Sequence, residues 1–409
     1  MSTAAASVQT PPTYNFFSPE VPANPHPLLH RLRANEPVYR SPQFNGWVLT
    51  RHEDIVAASK DRRLVAANMT GWLDQMSGEE KRELKPVRDA IRLWVGHTNE
   101  QDHLRFQRVF KKYFTPATVE GLRPRVQELT DELLDTVQDR GEMEVVSQLS
   151  FPLPANVIAE LLGVPTADRE LLLRWSADVV PLFRRSSIET LRQSQRSVLE
   201  MHDYMRPIIA ARRREPRNDL ISVMVAAQNE GLILNEEEIV ANCVLLLFAG
   251  HETTAHLISQ GLMLLLEHPE QLNQLKANPE LMPGAIEEML RYNGPASAMM
   301  RTSIEPLELA GRQFDAGQLF VLVYMAGNRD PEVFADPDRF DITRKPNKHL
   351  AFGMGAYYCL GAALARMEVD VCFRTLLRRM PNLRPAFTQP DLTLLPPLVA
   401  RLRTLRVAF

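Results

Sequence analysis

One long, mostly apolar segment constrains the fold of this chain more than any other feature. It runs from Asn235 to about Glu267, with Glu238 placed to form a capping arrangement with Asn235, and His268-Pro269 ends it. A helix of this length measures about 48 Å, which is enough to cross the whole molecule. Because the middle of the segment is apolar on all sides, we predict a buried helix at the centre of a mainly α-helical protein.

Polar residues interrupt the middle of this segment. Gly250 costs about 1 kcal/mol relative to alanine inside a helix, and the hydroxyl residues Thr253 and Thr254 follow the acid Glu252. A carboxylate is costly to bury unless it is paired or takes part in chemistry. The stretch is therefore interpreted either as a satisfied polar patch or helix kink, or as a catalytic site.

The same stretch is close to the His-Glu-x-x-His motif that binds zinc in metalloproteases. That motif needs two histidines four residues apart on one helix face, whereas His251 and His256 are five residues apart. Five helical steps leave the second ring roughly 140° from the first, so the two rings cannot share a tetrahedral metal. A zinc hydrolase is therefore the least favoured function, and we expect neither histidine to act in the chemistry.

Composition and charge argue against several classes of protein. The 409 residues are 45% hydrophobic, and 47 Lys and Arg against 50 Asp and Glu give a formal net charge of -3. This near balance gives no indication of nucleic acid as a partner. No apolar run approaches the roughly 18 residues of a membrane span, and the N-terminus lacks the pattern of a signal peptide. We therefore expect a cytoplasmic monomer that has no membrane partner.

Outside the long segment the pattern is helical, with small β-sheets. A hairpin is predicted between Glu36 and Thr50, with its turn at Asn45-Gly46. The helical core is predicted over roughly residues 100–300 and 360–380. The β-rich part is predicted over roughly residues 30–60, 300–325 and 385–409. Because the chain has no internal repeat and no long linker, residues 1–409 are expected to form a single domain.

A second group of informative residues surrounds Cys359. Gly353 and Gly355 free the backbone for a tight bulge, and an amphipathic helix is predicted to begin at Leu360. Backbone N–H groups and the helix dipole at such an N-terminus favour the thiolate form of a cysteine. Gly361 in the first helical turn would let a flat group approach the backbone closely.

The cysteines are few. Three cysteines, an odd number, are typical of a reduced protein without a disulfide framework. Cys243 and Cys372 lack flanking glycines and are interpreted as core residues. A buried structural role is also the alternative for Cys359.

Four motifs, in this order, resemble those of the cytochrome P450 monooxygenases. They are the oxygen-activating helix motif Ala249-Gly250-His251-Glu252-Thr253-Thr254, the helix motif Glu288-Met289-Leu290-Arg291, the segment Asp336-Pro337-Asp338-Arg339-Phe340, and the haem-binding loop Phe352-Gly353-x-Gly355-x-x-x-Cys359-x-Gly361. The resemblance extends from Phe16 to the end of the chain, and its length is similar to that of the soluble bacterial members. It implies a P450-like triangular prism with haem between the long central helix and the Cys-bearing loop and helix.

The resemblance implies a role for each of these residues. Cys359 would be the thiolate ligand of the iron of haem b, and a thiolate ligand favours cleavage of the O–O bond. Thr253 would hydrogen-bond dioxygen, Glu252 would help to deliver protons to it, and Gly250 would allow a local helix bulge. The residues implied to bind the cofactor are His103, Gln107, Arg301, Phe352, Gly353, Tyr357, Cys359 and Gly361. A buried structural ion cluster would consist of Glu288, Arg291 and Arg339.

Two implied cofactor contacts depart from the family pattern. Gln107 stands where arginine is usual, and Tyr357 replaces the usual histidine or arginine. Both side chains can donate hydrogen bonds to a haem propionate, but neither brings a charge. Arg105 or Arg108 is a possible substitute for the missing charge.

The implied function is a haem-thiolate monooxygenase that inserts one oxygen atom from dioxygen into an apolar small molecule, by hydroxylation or epoxidation. Electrons would come from NAD(P)H through ferredoxin reductase and ferredoxin, and a basic patch of Arg105, Arg108, Lys111 and Lys112 would dock the ferredoxin, with a solvated helix face as the alternative. Two other functions stay open, a peroxide-driven peroxygenase and a haem-binding sensor or carrier without turnover.

The substrate itself is left open by the sequence. The residues expected to contact it are Leu245, Phe248, Ala249, Ala296, Met299, Met300, Leu398 and Val399. These side chains are apolar or small, and the methionines adapt to the shape of a ligand. A polyketide, a terpenoid, a steroid or a fatty acid fits this description equally well.

Overall fold

The computed structural model describes residues 14–67, 71, 73, 76–95, 100–183, 186–233, 235–395 and 398–409. Its helices are α1 (His26–Asn35), α2 (His52–Lys60), α3 (Gly78–Glu83), α4 (Lys85–Arg92), α5 (Glu100–Tyr113), α6 (Pro116–Gly121), α7 (Arg123–Asp135), α8 (Pro152–Leu162), α9 (Arg169–Val179), α10 (Ile188–Arg214), α11 (Leu220–Asn229), α12 (Glu236–Glu267), α13 (Pro269–Ala277), α14 (Met282–Asn293), α15 (Tyr324–Gly327) and α16 (Ala362–Arg379). Its strands are β1 (Val38–Ser41), β2 (Gly46–Leu49), β3 (Leu64–Ala66), β4 (Glu142–Glu144), β5 (Met299–Ser303), β6 (Leu307–Leu309), β7 (Arg312–Phe314), β8 (Leu319–Leu322), β9 (Arg384–Pro385), β10 (Asp391–Leu395), β11 (Val399–Thr404) and β12 (Arg406–Ala408).

The predicted central helix is confirmed as α12. The side chain of Asn235 accepts a hydrogen bond from the backbone N–H of Glu238, which caps the helix as expected. Helices α8, α10, α14 and α16 all pack against it. Most of its residues are buried, so the apolar sequence on all sides is explained by helices that surround it.

The bulge expected at Gly250 is not present. The backbone of α12 is continuous α-helix through this residue. A Cβ atom added to Gly250 would lie only 3.0 Å from Cδ1 of Ile158 on α8. The glycine therefore permits close packing of α8 against α12.

The strands form small sheets at the periphery of the helices. The largest has the order β1-β2-β8-β5-β3, in which β2 and β8 are parallel and the other neighbours antiparallel. The predicted hairpin is confirmed, since β1 pairs with β2 with Val38 opposite Leu49. The remaining sheets are β4-β12-β9, β10-β11 and β6-β7.

Some boundaries differ from the prediction. The region around residues 30–60 contains the helices α1 and α2 on either side of the hairpin, and the helical core contains the strand β4. Strand β4 pairs with β12 near the C-terminus, with Glu144 opposite Arg406. Within the described residues, no helix is both long enough and apolar enough to cross a membrane.

Candidate active site

An open strip interrupts the burial of α12 at its middle. Of the ten residues from His251 to Gln260, only Thr253 is exposed, and Ala249 one turn earlier is exposed as well. Leu245, a further turn back, is half-buried. Residues four apart lie on one face of a helix, so these positions mark a single face that borders open space. The Thr253 hydroxyl donates a hydrogen bond of 2.9 Å to the carbonyl of Ala249.

The acid beside Thr253 lies in a different environment. Glu252 is 5% exposed, and its Oε2 atom accepts a hydrogen bond of 2.6 Å from Nη1 of Arg401 on β11. Burial raises the pKa of Glu252, and the charge and hydrogen bond of Arg401 oppose that shift. The carboxylate is thus paired with a cation from a strand that is distant in the chain.

The histidines of the same stretch have separate surroundings. His251 is buried with its Nδ1 atom 3.1 Å from Oγ of Ser176. Burial lowers the pKa of His251 to about 4 and the pKa of His256 to about 3. In the described part of the chain, no three His, Cys, Asp or Glu side chains are grouped to hold a metal ion. The geometry therefore gives no support to a zinc site.

The loop before α16 has the predicted glycine bulge. Gly353 has a φ of 69° and Gly355 a φ of 70°, the left-handed region that favours glycine. The N–H of Cys359 donates to the carbonyl of Phe352 at 2.9 Å, which closes the loop. Helix α16 begins at Ala362, two residues after the predicted start, and Gly361 is its N-cap residue.

The electrostatic surroundings of Cys359 are mixed. Burial raises the pKa of its thiol, while the backbone N–H of Gly361 and the charge of Arg366 act in the opposite direction. The expected thiolate preference at the helix N-terminus is therefore outweighed by burial in the protein alone. A metal ion bound to the sulfur would reverse this balance, because a coordinating thiol is deprotonated.

The other two cysteines differ clearly from Cys359. All three are free thiols, but Cys359 has solvent-exposed surface, although neighbouring atoms desolvate its sulfur, whereas Cys243 and Cys372 are buried. Burial raises the pKa of Cys243 and Cys372 strongly. Their interpretation as core residues agrees with these surroundings.

A cluster of aromatic and cationic groups lies beside the cysteine loop. The ring of Tyr357 is 4.3 Å from the ring of His103, and the guanidinium of Arg301 is 4.4 Å from the Tyr357 centroid. The hydroxyl of Tyr357 accepts a hydrogen bond of 3.1 Å from the N–H of Ala66 on β3. Tyr357 therefore joins α5, the cysteine loop and the largest sheet at one point.

His103 and Gln107 support the loop from α5. Nε2 of His103 lies 3.1 Å from the carbonyl of Ala356, and Nε2 of Gln107 donates to the same carbonyl at 2.8 Å. Gln107 therefore contacts the loop backbone, and its contact with a propionate stays a prediction.

Arg105 cannot substitute for the missing charge. Both of its Nη atoms bond to the carboxylate of Glu238, at 2.9 and 2.8 Å, and Nη2 also bonds to Asp102 at 3.0 Å. The guanidinium is thus held at the start of α12 and neutralised there. Arg108 is exposed on α5.

The residues present fit a flat cofactor with acidic side groups. A Cβ atom added to Gly361 would have no neighbour within 4 Å, so open space borders the backbone next to Cys359. Arg301 is 3% exposed, and its Nε atom is buried without a hydrogen-bond partner among the residues that the structure describes. An unpartnered buried donor of this kind calls for an acceptor that the protein does not provide. A thiol donor, a bare glycine and an unsatisfied arginine together match the donor set expected for haem.

The predicted ion cluster has a different third member. Nε and Nη2 of Arg291 each bond to Glu288 at 2.7 Å, and both side chains are fully buried. Arg344, rather than Arg339, is the additional cation, with its Nε atom 3.2 Å from Oε1 of Glu288. The side chain of Arg339 is exposed, and this residue contributes only its carbonyl oxygen, which accepts from Arg291 at 3.0 Å.

The expected substrate contacts lie in two places. Ala249, Leu245 and Phe248 belong to α12, and the ring of Phe248 stacks on Phe183 with a centroid distance of 5.2 Å. The others are Met299 and Met300 on β5, Ala296 in the loop before β5, and Leu398 in the turn before β11, of which Met299 is the most exposed and Leu398 is packed in a hydrophobic cluster. The side chain of Val399 lies outside the described part of the structure.

Comparison with known proteins agrees with the motifs and the fold. A family model described as Cytochrome P450 matches residues 172–397, more than half of the chain. The biotin biosynthesis cytochrome P450 of Bacillus subtilis (strain 168) is 38% identical over 373 residues, which cover 90% of this chain and 92% of that protein. The chain belongs to the cytochrome P450 family.

Two further comparisons extend this assignment. Cytochrome P450 monooxygenase PikC of Streptomyces venezuelae is 36% identical over 397 residues, covering 94% of this chain and 91% of that protein. The crystal structure of P450BioI in complex with hexadec-9Z-enoic acid ligated acyl carrier protein matches with a TM-score of 0.88 and 37% identity, over 96% of this chain and 100% of that chain. The fold is the P450 fold, and the protein is an oxidoreductase of the haem-iron monooxygenase type.

Three features of this P450 were missed from the sequence. Arg401 pairs with Glu252 from a strand 149 positions further along the chain. Arg344 reaches Glu288 from a loop, and Arg366 of α16 bonds to Glu287 of α14. Arg344 lies four residues after the Asp-Arg-Phe segment and Arg366 seven residues after Cys359, so both stand near the motifs, but their positions do not show which arginine turns inward. The contact of Arg401 had no local signal, because it joins a helix to a distant strand.

Proposed function

We propose that this P450 uses haem b to insert one oxygen atom from dioxygen into an apolar small molecule, by hydroxylation or epoxidation. NAD(P)H would supply the electrons through ferredoxin reductase and ferredoxin. The observation that carries the proposal is the open strip of α12, where Thr253 is exposed beside the paired acid Glu252. Thr253 is the only exposed residue between His251 and Gln260, and the buried acid beside it is paired with a cation from another element, an arrangement that is typical of functional sites.

The residues around the cysteine would hold the cofactor. Cys359 would supply the axial sulfur, and Arg301 would donate its unpartnered Nε–H to a propionate. Tyr357 already accepts a hydrogen bond from Ala66, so its own hydroxyl proton remains available to an anionic acceptor. His103 and Gln107 would act indirectly, by fixing the carbonyl of Ala356 and with it the loop. When bound, the haem supplies the oxidising chemistry at its iron.

The residues of α12 would handle the oxygen and the protons. The hydroxyl of Thr253 points its proton to the carbonyl of Ala249, which leaves its oxygen free to accept a second hydrogen bond. Positioned side chains that transfer protons accelerate such reactions by general acid catalysis. Glu252 would renew the proton supply, since its carboxylate is buried one residue away.

An apolar substrate would lie against the open strip of α12. Leu245 and Ala249 give that strip an apolar surface, and Phe248 extends it with an aromatic ring held by Phe183. Met299 and Met300 on β5 would adapt to substrate shape. The crystal structure of the relative P450BioI is a complex with hexadec-9Z-enoic acid ligated acyl carrier protein, and the long acyl chain of that ligand agrees with an apolar substrate of this kind.

The proposed electron donor would bind near the cysteine loop. Arg108, Lys111 and Lys112 are exposed on α5, although Lys112 is paired with Glu230 at 2.9 Å. Arg105 is removed from the proposed patch by its bonds to Glu238. Reversing the charge of Arg108 and Lys112 together should slow turnover with an acidic ferredoxin and leave turnover with peroxide unchanged.

A ferrous–CO difference spectrum tests the cofactor assignment. The wild-type protein is expected to show the red-shifted Soret band of a thiolate-ligated haem, and Cys359→Ser should lose it. A colourless purified protein, or a band that ignores the substitution, would remove the proposal.

A comparison of oxidants separates the remaining functions. With NAD(P)H, ferredoxin reductase and ferredoxin, product should form from an apolar substrate, and Thr253→Ala should divert electrons into hydrogen peroxide or water. Turnover with peroxide alone would favour the peroxygenase. Absence of substrate-dependent NAD(P)H consumption would favour a sensor or carrier.

A further inference from the structure

The ion pair between Arg401 and Glu252 holds the carboxylate of Glu252 away from the hydroxyl of Thr253, which lies on the open strip of α12. Neighbouring residues on a helix point about 100° apart and do not face each other. The structure shows this directly, since Thr253 is exposed while Glu252 is 5% exposed and bonded to β11. In this arrangement the carboxylate cannot hand a proton to the open face of α12 without a change.

We propose that Arg401 is a positioning residue, which anchors the carboxylate of Glu252 to β11 and holds it away from Thr253 until the ion pair opens or a water bridges it. This inference rests on the proposed function, in which Glu252 and Thr253 act on dioxygen. It adds a residue, from another part of the fold, that controls when the acid can serve the alcohol.

The surroundings of Glu252 give the pair its importance. A buried carboxylate without a partner shifts towards its neutral form, because burial disfavours the charge. Arg401 opposes that shift in Glu252 and also lowers the pKa values of the neighbouring His251 and His256, which burial already lowers. Both histidines thus stay neutral beside the pair at neutral pH, and Arg401 provides the opposing positive charge.

The two partners differ in their freedom to move. The side chain of Glu252 is 6% exposed, whereas that of Arg401 is 31% exposed. Arg401 can therefore release the acid by turning toward solvent, while Glu252 remains in the protein. The strand offers a matched control, because Arg403 lies two residues further on β11 with a side chain that is 64% exposed and 3.7 Å from Asp391.

Four variants and one control test this inference. The variants are Arg401→Gln, Arg401→Lys, Glu252→Gln and the double variant Arg401→Gln/Glu252→Gln, and the control is Arg403→Gln. Arg401→Gln leaves the buried carboxyl of Glu252 unpaired and without a fixed position, so it should reduce kcat about 10-fold and enlarge the solvent deuterium isotope effect, with the Kd from substrate-induced spin shifts changed less than about 2-fold. Arg401→Lys should recover part of the rate, and Arg403→Gln should match the wild type. The double variant should be no slower than Glu252→Gln, because the two side chains act as one unit.

Three outcomes would overturn the inference. They are additive effects in the double variant, a large loss of substrate affinity in Arg401→Gln, and equal behaviour of Arg401→Gln and Arg403→Gln. The ferrous–CO spectrum of each variant confirms that it is folded and contains haem, and Arg401→Lys keeps the test decisive if Arg401→Gln does not fold.

An infrared measurement gives a second readout that needs no turnover. At a fixed neutral pH, the Arg401→Gln variant should show a stronger infrared band from protonated carboxyl groups than the wild type. This increase should vanish in the double variant, which lacks the carboxyl group of Glu252. No increase would overturn the inference. If Thr253→Ala leaves coupling of NAD(P)H to product unchanged, the proposed function itself fails, whereas coupling that is lost in Thr253→Ala but kept in Arg401→Gln rejects only the role of Arg401.

Discussion

The guanidinium of Arg366 lies 4.4 Å from the centroid of the Phe352 ring. The same guanidinium bonds to Glu287 at 2.6 and 2.9 Å, and Nε2 of His349 lies 2.9 Å from that carboxylate. Phe352 in turn accepts the backbone N–H of Cys359. The loop that presents the sulfur is therefore fastened to α14 through one arginine on α16.

Replacing this arginine should loosen the cysteine loop. Arg366→Met keeps an apolar stem over Phe352 but removes the charge, and it leaves Glu287 with His349 alone. We expect a loss of about 1–3 kcal/mol in the free energy of unfolding, less than for a fully buried pair because both side chains are partly exposed. Chemical denaturation and the rate of haem release measure this effect.

Arg374→Met on the same helix is the matched control. Arg374 bonds to Asp370 one turn away at 2.7 Å and does not reach the loop. Arg374→Met should lower the free energy of unfolding by about 0.5 kcal/mol or less and leave the rate of haem release unchanged. Equal effects of both substitutions would contradict a specific role for Arg366.

The ion pair between Arg366 and Glu287 also predicts how the stability of the protein depends on pH. Burial alone would raise the pKa of Glu287, but hydrogen bonds from Arg366 and His349 lower it from 4.5 to about 2. A carboxyl whose pKa is lower in the folded state stabilises the fold above its unfolded pKa, and this contribution is lost as pH falls through the folded pKa. The stability difference between the wild type and Glu287→Gln should therefore be full above about pH 5 and shrink toward pH 2.

Denaturation of the haem-free protein at several pH values measures that difference. Glu189→Gln, whose carboxylate is exposed and 3.3 Å from Arg192, is a suitable control and should show a small difference throughout. A difference for Glu287→Gln that grows as the pH falls would be the opposite of the expected sign.

The corrected ion cluster gives a prediction that separates two arginines. Arg344→Ala removes a cation from Glu288, which is fully buried, and also breaks a hydrogen bond of 2.6 Å to the carbonyl of Ala335. We expect a loss of about 2–4 kcal/mol in the free energy of unfolding. Arg339→Ala should change it by less than about 0.5 kcal/mol, because that side chain is exposed and its carbonyl is retained. A larger loss for Arg339→Ala in thermal unfolding would restore the original assignment.

These two arginines show where the sequence was and was not sufficient. Helix α12 was predictable because its cap, its apolar faces and the proline after its end are all local signals. The third member of the ion cluster was not, since both arginines lie in a loop without a periodic pattern. Only the path of the loop decides which guanidinium turns inward.

The short strands were missed for a related reason. Strand β3 has three residues and pairs with β5, so that Leu64 lies opposite Ser303. Strand β4, also of three residues, pairs with β12. A strand this short is defined by a partner far away in the chain, and its own sequence has too few positions to show alternation.

The glycines of the cysteine loop allow the last prediction, which separates folding from cofactor binding. Gly355 has a φ of 70°, and a Cβ atom there would clash with the carbonyl oxygen of Ser59 on α2. Gly361 has a φ of -85°, which any residue adopts, and a Cβ atom there would meet nothing within 4 Å.

Gly355→Ala should therefore destabilise the haem-free protein by about 2 kcal/mol or more. Gly361→Ala should leave that stability within about 0.5 kcal/mol but weaken haem binding, because its methyl group would occupy the space beside Cys359. Denaturation of the haem-free protein and titration with haem measure the two effects, and a Gly361→Ala variant that binds haem as tightly as the wild type would show that the cofactor does not approach this glycine.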